Sequence, residues 1–269
     1  MKPHRFALSL LILLLCQLVT LPARAFDCGP RPIRLAFYET GFFYFENAKG
    51  PQGIDKEIVD ELIKRSGCQI QTQLMVRARI WADLASGELD MSVSGIQNPE
   101  RDRFAWFAPY LSTKNYAILG KRAAKVHSAQ EFIADPQLTF GVVRAFKHGT
   151  LQDGWLAQLR SSNRVQESPD ADSIFKKLKE QRVDAMFSQP PVYRKRIQDL
   201  QMQSEVQVQD WTPDEKGVPL GLIMAKSFFS QNQAAQWRNL LDAMRKDGTL
   251  KRIYEHYLPA AEAARLLDF

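Results

Sequence analysis

Apolar runs and amphipathic stretches alternate along most of the chain. Residues 33–38 form a nearly continuous apolar run that predicts a buried strand, and the apolar residues of 54–66 fall on one face of a helix, which Gly67 is placed to end. The pattern then predicts a strand over 69–75, a helix over 80–86 and a strand over 89–94. Strands that alternate with helices are typical of an open, mainly parallel α/β sheet.

A helix–turn–strand pattern occurs twice. In each copy a leucine near the end of a helix is followed by an aspartate and then by a serine at the end of a strand, with the same spacing: Leu84, Asp90 and Ser94, then Leu178, Asp184 and Ser188. The second copy lies in a region with its own predicted strands (139–143, 183–187) and helices (129–134, 172–181). The repeat therefore predicts two lobes of related design.

Two extended segments, 115–120 and 218–225, bracket this middle region, and a helical tail broken at Gly248 follows. We predict a discontinuous first lobe, residues 26–116 plus 222–269, and a second lobe, residues 117–221, that includes two hinge strands. Ligands of open α/β sheets lie beyond the carboxyl ends of the strands, so two facing sheets would share one ligand cleft.

The first 25 residues have the layout of an export signal. A positively charged start precedes an apolar run over 6–15, and the small residues Ala23 and Ala25 stand at −3 and −1 before Phe26. The run is shorter than the roughly 20 apolar residues that a membrane span needs. We predict a cleaved signal peptide at 1–25, a mature chain that begins near Phe26, and a periplasmic location.

Composition and charge exclude several classes of function. Hydrophobic residues make up 45% of the chain and charged residues 25%, as in ordinary globular proteins. The net charge of +6 is not gathered into a basic block with aromatics, so nucleic-acid binding has no support. Motifs for serine hydrolases, zinc proteases and phosphate loops are missing, and the four histidines are scattered. We expect no metal, no cofactor and no catalytic residues.

Two of the three cysteines, Cys28 and Cys68, stand just before predicted strands. If those strands are parallel neighbours, both cysteines lie at the same edge of the sheet. An oxidising compartment lets such a pair persist as a disulfide. No CxxC motif is present, so we expect a structural disulfide rather than a metal or redox site.

Four short motifs follow one another along the chain: Gly50-Pro-Gln-Gly53-Ile54-Asp55, Trp81-Ala-Asp-Leu84-Ala-Ser-Gly87-Glu-Leu-Asp90, Ser94-Gly95-Ile96-Gln97-Asn98-Pro99-Glu100-Arg101 and Phe107-Ala-Pro109-Tyr110. In order and spacing they resemble the periplasmic solute-binding proteins of family 3, the polar amino-acid receptors of ABC importers. The resemblance implies two Rossmann-like lobes joined by a hinge, the type II periplasmic binding fold. It also implies a non-enzymatic monomer that captures an amino-acid-like or organic-acid ligand by closing and delivers it to ABC transporter membrane subunits.

The resemblance assigns roles to particular residues. Arg101 would hold the ligand carboxylate through paired hydrogen bonds, with Ser94 and Gly95 beside it. Phe42 would cover the ligand, and Trp81 begins a helix next to the same cleft. The alternatives are a surface position for Arg101 in a charged run and a core position for Trp81.

Two departures from the family pattern bear on the ligand. Arg144 lies in a second-lobe stretch that is longer and more basic than the family's, and Gln189 stands where the family has an acid for the ligand ammonium. Arg77 and Arg79 also crowd the predicted rim of the cleft. Extra arginine and a missing carboxylate favour an anionic ligand.

Two other functions use the same fold. Exported cyclohexadienyl dehydratases resemble these receptors and would need a carboxylate-binding arginine and a general acid; the Gly-Gly-Thr-Asn stretch of those enzymes is missing here. A receptor that reports to a membrane sensor would bind its ligand in the same way as an importer's receptor.

Overall fold

The computed structural model describes residues 26–269, so the predicted signal peptide lies outside the described residues. The strands are β1 (Ile33–Phe37), β2 (Phe45–Asn47), β3 (Gly50–Gln52), β4 (Ile70–Leu74), β5 (Met91–Ile96), β6 (Ala105–Thr113), β7 (Tyr116–Leu119), β8 (Phe140–Val143), β9 (Val165–Ser168), β10 (Ala185–Ser188), β11 (Gln207–Gln209) and β12 (Val218–Ala225). The α-helices are α1 (Ile54–Ser66), α2 (Arg77–Ser86), α3 (Ala129–Ala134), α4 (Thr150–Ser161), α5 (Ala171–Lys179), α6 (Pro190–Asp199), α7 (Gln231–Lys246), α8 (Thr249–Glu255) and α9 (Ala260–Arg265). Within this range no helix is long and apolar enough to cross a membrane.

Two five-stranded sheets form the framework of the two lobes. The first has the order β4-β1-β5-β12-β6, in which β4, β1 and β5 are parallel and β12 runs antiparallel to both of its neighbours. The second has the order β11-β7-β10-β8-β9, in which β10, β8 and β9 are parallel and β7 is antiparallel. The prediction of an α/β fold with two lobes is confirmed.

The repeated aspartates explain why the two sheets are built alike. Asp90 precedes β5 and accepts a hydrogen bond from the backbone N–H of Arg34 in β1 at 2.8 Å. Asp184 precedes β10 and accepts one from the backbone N–H of Thr139, next to β8, at 2.7 Å. Both carboxylates are buried. Each therefore ties the start of a central strand to its parallel neighbour.

The chain crosses between the sheets after β6 and again before β12. Strand β12 pairs with β6 along its whole length, from Val218 to Ala225. Residues 218–221, which the sequence analysis places in the second lobe as part of a hinge strand, pair with β6 in the first sheet. The lobe boundaries stay predictions.

Most predicted elements lie within a few residues of their observed bounds, but α2 begins earlier than expected. Its predicted start was residue 80, where the apolar positions begin, whereas Val76 is the N-cap and Arg77 the first helical residue. The first turn carries arginines rather than apolar residues, so hydrophobic periodicity missed it. This difference places Arg77 at the end of the helix that faces the second lobe.

The predicted disulfide is confirmed. Strands β1 and β4 are parallel neighbours, with Ile33 opposite Ile70, and Cys28 and Cys68 are bonded ahead of them with a Cα–Cα distance of 5.4 Å. The bond ties the N-terminal segment to the end of α1.

The two lobes are in direct contact next to helix α6. The backbone N–H of Phe42 donates to the carbonyl of Pro191 at 2.8 Å. Gly41 has a φ of 54°, and a Cβ at this position would lie 2.4 Å from Cα of Val192. Only glycine allows the first-lobe loop to approach the start of α6 this closely.

Candidate functional site

A cavity of about 520 Å³ lies between the lobes. Its wall comes from the residues that follow β1, β4, β8 and β9 and from the end of β10, that is, from the carboxyl ends of parallel strands in both sheets. Ligands of open α/β sheets bind at these ends. The cavity is therefore the candidate binding site.

Arg77 is the charged side chain that stands out in this cavity. It is only 5% exposed, and its guanidinium carbon lies 4.6 Å from the ring centre of Tyr38 and 4.9 Å from that of Phe146 in the second lobe. Its Nε and Nη2 atoms are buried without a hydrogen-bond partner. These atoms form one edge of the guanidinium, the edge that can pair with both oxygens of a carboxylate.

The position of Arg77 is unfavourable without an anion. It is the first residue of α2, whose first turn contains no acidic residue, so a positive charge stands at the positive end of the helix dipole. No carboxylate within residues 26–269 forms an ion pair with it. A buried donor without an acceptor costs about 1–3 kcal/mol. A bound anion would relieve both effects.

Arg101 and Trp81 lie behind Arg77 rather than in the cavity wall. The Arg101 guanidinium carbon is 3.6 Å from the Trp81 ring centre, and that of Arg77 is 5.9 Å from it. Arg101 donates to the carbonyls of Ile96 at 2.7 Å and of Ala145 at 3.3 Å. Burial, and then the charge of Arg77, lowers the pKa of Arg101 to about 10, so it stays charged at neutral pH. Two guanidinium groups thus flank one indole.

Gln189 is the one predicted site residue in the wall of this cavity. It is the N-cap of α6, its side chain is 2% exposed, and its Nε2 has no partner. The unpartnered nitrogens around Arg77 and Gln189 are all N–H donors. A set of buried donors without acceptors suits a ligand that only accepts.

The acids in the cavity wall are engaged elsewhere or exposed. Asp170 accepts from the backbone N–H of Ser173 at 2.7 Å as the N-cap of α5, and Asp172 pairs with Arg196 at 2.6 Å. Burial raises the pKa of Asp172, against the charge of Arg196. Glu39 is exposed.

His148 also lines the cavity. His148 is buried, and the centre of its ring lies 4.8 Å from the ring centre of Phe146 and 5.7 Å from that of Phe187. Burial lowers its pKa, while the hydrogen bond to Asp153 opposes that effect, so the imidazole is neutral at pH 7. It adds a flat ring to the wall rather than a charge.

The remaining predicted site residues lie outside the cavity wall. Ser94 donates its hydroxyl to the buried carboxylate of Asp55, and Gly95 packs against Ile223. The ring of Phe42 packs beside Phe45 and Tyr257. The side chains of Arg79 and Arg144 are 67% and 61% exposed and lie near Asp83 and Glu167, respectively. Their roles in binding stay predictions.

The sequence analysis did not single out three aromatic residues of the wall: Tyr38, Phe146 and Phe187. Tyr38 follows β1, Phe146 lies three residues after β8, and Phe187 is the residue before the last in β10. Aromatic residues at the carboxyl ends of predicted strands were the available signal.

A second, more open cavity of about 600 Å³ lies beside the segment Ile96–Glu100. Its wall contains acids and lysines, among them Glu100, Asp153, Lys147 and Lys216. In the described part of the chain it contains no buried polar atom that lacks a partner, and no group of acidic, histidine or cysteine side chains could hold a metal. The first cavity is the stronger candidate.

Solved structures with the same fold are numerous. An ancestral arginine-binding protein bound to arginine is 20% identical with a TM-score of 0.72 over 85% of this chain and 98% of that one. The ancestral amino acid-binding protein AncCDT-1, a precursor of cyclohexadienyl dehydratase, is 22% identical with a TM-score of 0.69 over 85% and 96%. A histidine kinase sensor domain similar to periplasmic binding proteins is 14% identical with a TM-score of 0.71 over 85% and 96%. These likenesses show the fold.

No curated protein matches the sequence closely enough to count as a relative. The match to a family model, in contrast, covers both lobes. Residues 33–260 match the model of the bacterial extracellular solute-binding proteins, family 3, and the chain belongs to that family.

Proposed function

We propose that the protein is a periplasmic receptor that captures a small carboxylate, an amino-acid-like or organic acid, between its lobes and delivers it to an ABC importer. The observation that carries this proposal is Arg77, a buried guanidinium in the interlobe cavity with two donors free on one edge. Family membership supports extracytoplasmic solute binding, and the ancestral arginine-binding protein supports an amino-acid-like ligand.

The charge around the cavity supports an anionic ligand. Arg77 and Arg101 flank Trp81, and neither forms an ion pair with a carboxylate in the described residues. Gln189 offers a neutral amide where the family pattern has an acid for the ligand ammonium, so this position supplies no negative charge to a cation. A solute with net negative charge offsets the buried positive charge, whereas a cation would add to it.

Closing of the lobes would complete the site. Arg77 belongs to the first lobe and Phe146, which covers its guanidinium, to the second. A solute held by Arg77 therefore meets the wall of the second lobe only when the cleft closes. The closed form, with the solute buried, is the form that a membrane partner would recognise.

A matched pair of arginines on α2 tests the proposal. In the wild type, a carboxylate at 100 times its Kd should add about 2.7 kcal/mol of stability, a rise in Tm of roughly 5–10 °C. Arg77→Met should weaken its binding at least about 100-fold, because two charge-assisted hydrogen bonds are lost. Arg79→Met should weaken binding far less than Arg77→Met, because the Arg79 side chain is 67% exposed and pairs with Asp83. Equal affinity in the wild type and Arg77→Met contradicts the proposal.

The dehydratase and the sensor remain as separate outcomes of further tests. Consumption of prephenate by the purified protein, followed by absorbance, would identify a dehydratase. If the solute-bound protein captures a membrane sensor from solubilised membranes and no transporter subunits, the sensor takes the place of the importer in the proposal.

A further inference from the structure

The wall of the interlobe cavity is rich in aromatic and thioether side chains. Besides Arg77 and Gln189, the side chains that matter here are Tyr38, Met75, Phe146, His148, Met186 and Phe187. Both sheets contribute to this set. The wall also has polar residues, among them Asp170, Asp172, Ser173 and Lys176, and the first two are engaged within the protein. Against the aromatic part of the wall, the remaining polar groups of a compact polar solute would find few partners, at a cost in affinity.

Three of these rings form a continuous row. Phe146 contacts His148 with ring centres 4.8 Å apart, and His148 contacts Phe187 at 5.7 Å. Across the Arg77 guanidinium from Phe146 lies the ring of Tyr38. Rows of rings at these spacings accept another flat ring by offset or edge-to-face contact.

The apolar wall continues to the surface through Leu74 and Val76. These residues line the cavity, and their exposed fractions are 47% and 65%. Within residues 26–269 only four large hydrophobic side chains are exposed, and the two most exposed of them are here. Exposed apolar side chains at the edge of a cavity are typical of a surface that a ligand covers.

We propose that the preferred solute is an aromatic carboxylate, with its acid group on Arg77 and its ring against Phe146, His148 and Phe187. This inference rests on the proposed function and narrows its ligand class. The volume of about 520 Å³ lies in the range of cavities that hold ligands larger than a single compact amino acid. Burial of the ring, rather than a second charged contact, then supplies most of the selectivity.

Isothermal titration calorimetry with 3-phenylpropionate and propionate tests the inference, because the two acids share the carboxylate and differ by the ring. We expect 3-phenylpropionate to bind roughly 30–100-fold tighter, the value of burying one ring. L-Glutamate and L-arginine complete the panel, and both should bind more weakly than the aromatic acid.

Two variants locate the ring. Phe146→Leu keeps an apolar side chain on a half-buried loop position and should reduce the preference for 3-phenylpropionate over propionate at least about fivefold. Val76→Thr, at an exposed position, keeps the shape of the side chain and should reduce it about two- to threefold. The comparison of the two acids on the wild type does not depend on either variant folding.

The outcomes separate this inference from the proposed function. Arg77-dependent binding of glutamate, without tighter binding of 3-phenylpropionate, overturns the aromatic ligand and leaves the carboxylate receptor in place. Equal affinity for 3-phenylpropionate and propionate also overturns the inference. Failure of every carboxylate to bind overturns both.

Discussion

Asp55 in helix α1 has an unusual environment for a carboxylate, and replacing it with asparagine makes a sharp prediction. The side chain is fully buried and accepts hydrogen bonds from Ser94 Oγ at 2.8 and 2.9 Å and from the Tyr110 hydroxyl at 2.7 Å. Burial raises the pKa of Asp55 to about 7, and the hydrogen bonds from Tyr110 and Ser94 and the charge of Arg77 oppose this shift. The carboxyl group is therefore largely protonated in the folded protein at mildly acidic pH.

The sign and size of the effect follow from proton linkage. Between the ordinary pKa of 3.8 and the folded value of about 7, the folded state holds a proton that the unfolded state has lost. The free energy of unfolding therefore falls as pH rises through this window, by roughly 4 kcal/mol when the window is crossed completely. Asparagine resembles the protonated carboxyl group and does not titrate. The stability of Asp55→Asn relative to the wild type should rise by about that amount between pH 4 and pH 8.

Urea unfolding of the wild type and Asp55→Asn across pH 4–8 measures this difference. One amide N–H of the asparagine lacks an acceptor, which lowers stability by about 1–3 kcal/mol at every pH, so the slope with pH is the test rather than the absolute value. Groups that titrate equally in both proteins cancel. Asp60→Asn is the control, because Asp60 is exposed on the same helix and pairs with Lys56, and its difference should be nearly flat.

A flat or falling difference for Asp55→Asn would refute the reasoning. It would mean that the hydrogen bonds from Ser94 and Tyr110, together with the charge of Arg77, outweigh burial. Asp55 would then be ionised throughout the range.

Three further predictions follow from the fold. Replacing Cys28 and Cys68 with alanine should lower the free energy of unfolding by roughly 3–4 kcal/mol, because the disulfide closes a loop of 40 residues in the unfolded chain. Adding reductant should not change the stability of this variant, and a drop below 1 kcal/mol relative to the wild type would contradict the prediction. Gly41→Ala should impair closure by contact with Val192, so that solute affinity falls at least about tenfold while small-angle scattering shows an expanded particle with solute; a compact particle would contradict it. Arg101→Ala should retain the circular dichroism of the wild type and weaken solute binding less than Arg77→Met does, because the Arg101 guanidinium donates to the carbonyls of Ile96 and Ala145 rather than into the cavity; a loss of affinity as large as that of Arg77→Met would show that Arg101 holds the carboxylate.

The parts of the fold that the sequence predicted depend on local patterns. The repeated spacing of Asp90 and Asp184 predicted two similar lobes correctly because each aspartate accepts a hydrogen bond that ties the start of one strand to its neighbour, and this bond occurs in both sheets. The disulfide could be predicted because it required only that the two strands after Cys28 and Cys68 be parallel neighbours, as β1 and β4 are. The sheet to which β12 belongs could not be predicted, since an extended segment pairs equally well with either sheet until both are assembled.

The candidate site was harder to predict, because it depends on which donors are left without partners. The motif resemblance selected Arg101, but in the structure the carbonyls of Ile96 and Ala145 accept from its guanidinium. Arg77, which the sequence suggested only as a rim residue, is the arginine whose donors are free in the cavity. No spacing in the first lobe shows this difference, since Ala145 and Phe146 come from the second.

The same distribution of partners indicates why closure should require a solute. Closing the lobes without one would bury Nε and Nη2 of Arg77 and Nε2 of Gln189 without acceptors, at a cost of roughly 3–9 kcal/mol. Two of the direct polar contacts between the lobes are weaker than this cost. The Phe42–Pro191 hydrogen bond contributes about 0.5–1.5 kcal/mol, and the partly exposed pair of Arg194 with Glu262 contributes at most about 1 kcal/mol. In the open form water can accept hydrogen bonds from Arg77. In the closed form Phe146 covers the guanidinium and excludes water, so a bound carboxylate supplies the acceptors that Arg77 otherwise lacks. Its affinity for the closed form therefore exceeds that for the open form, and this difference drives closure.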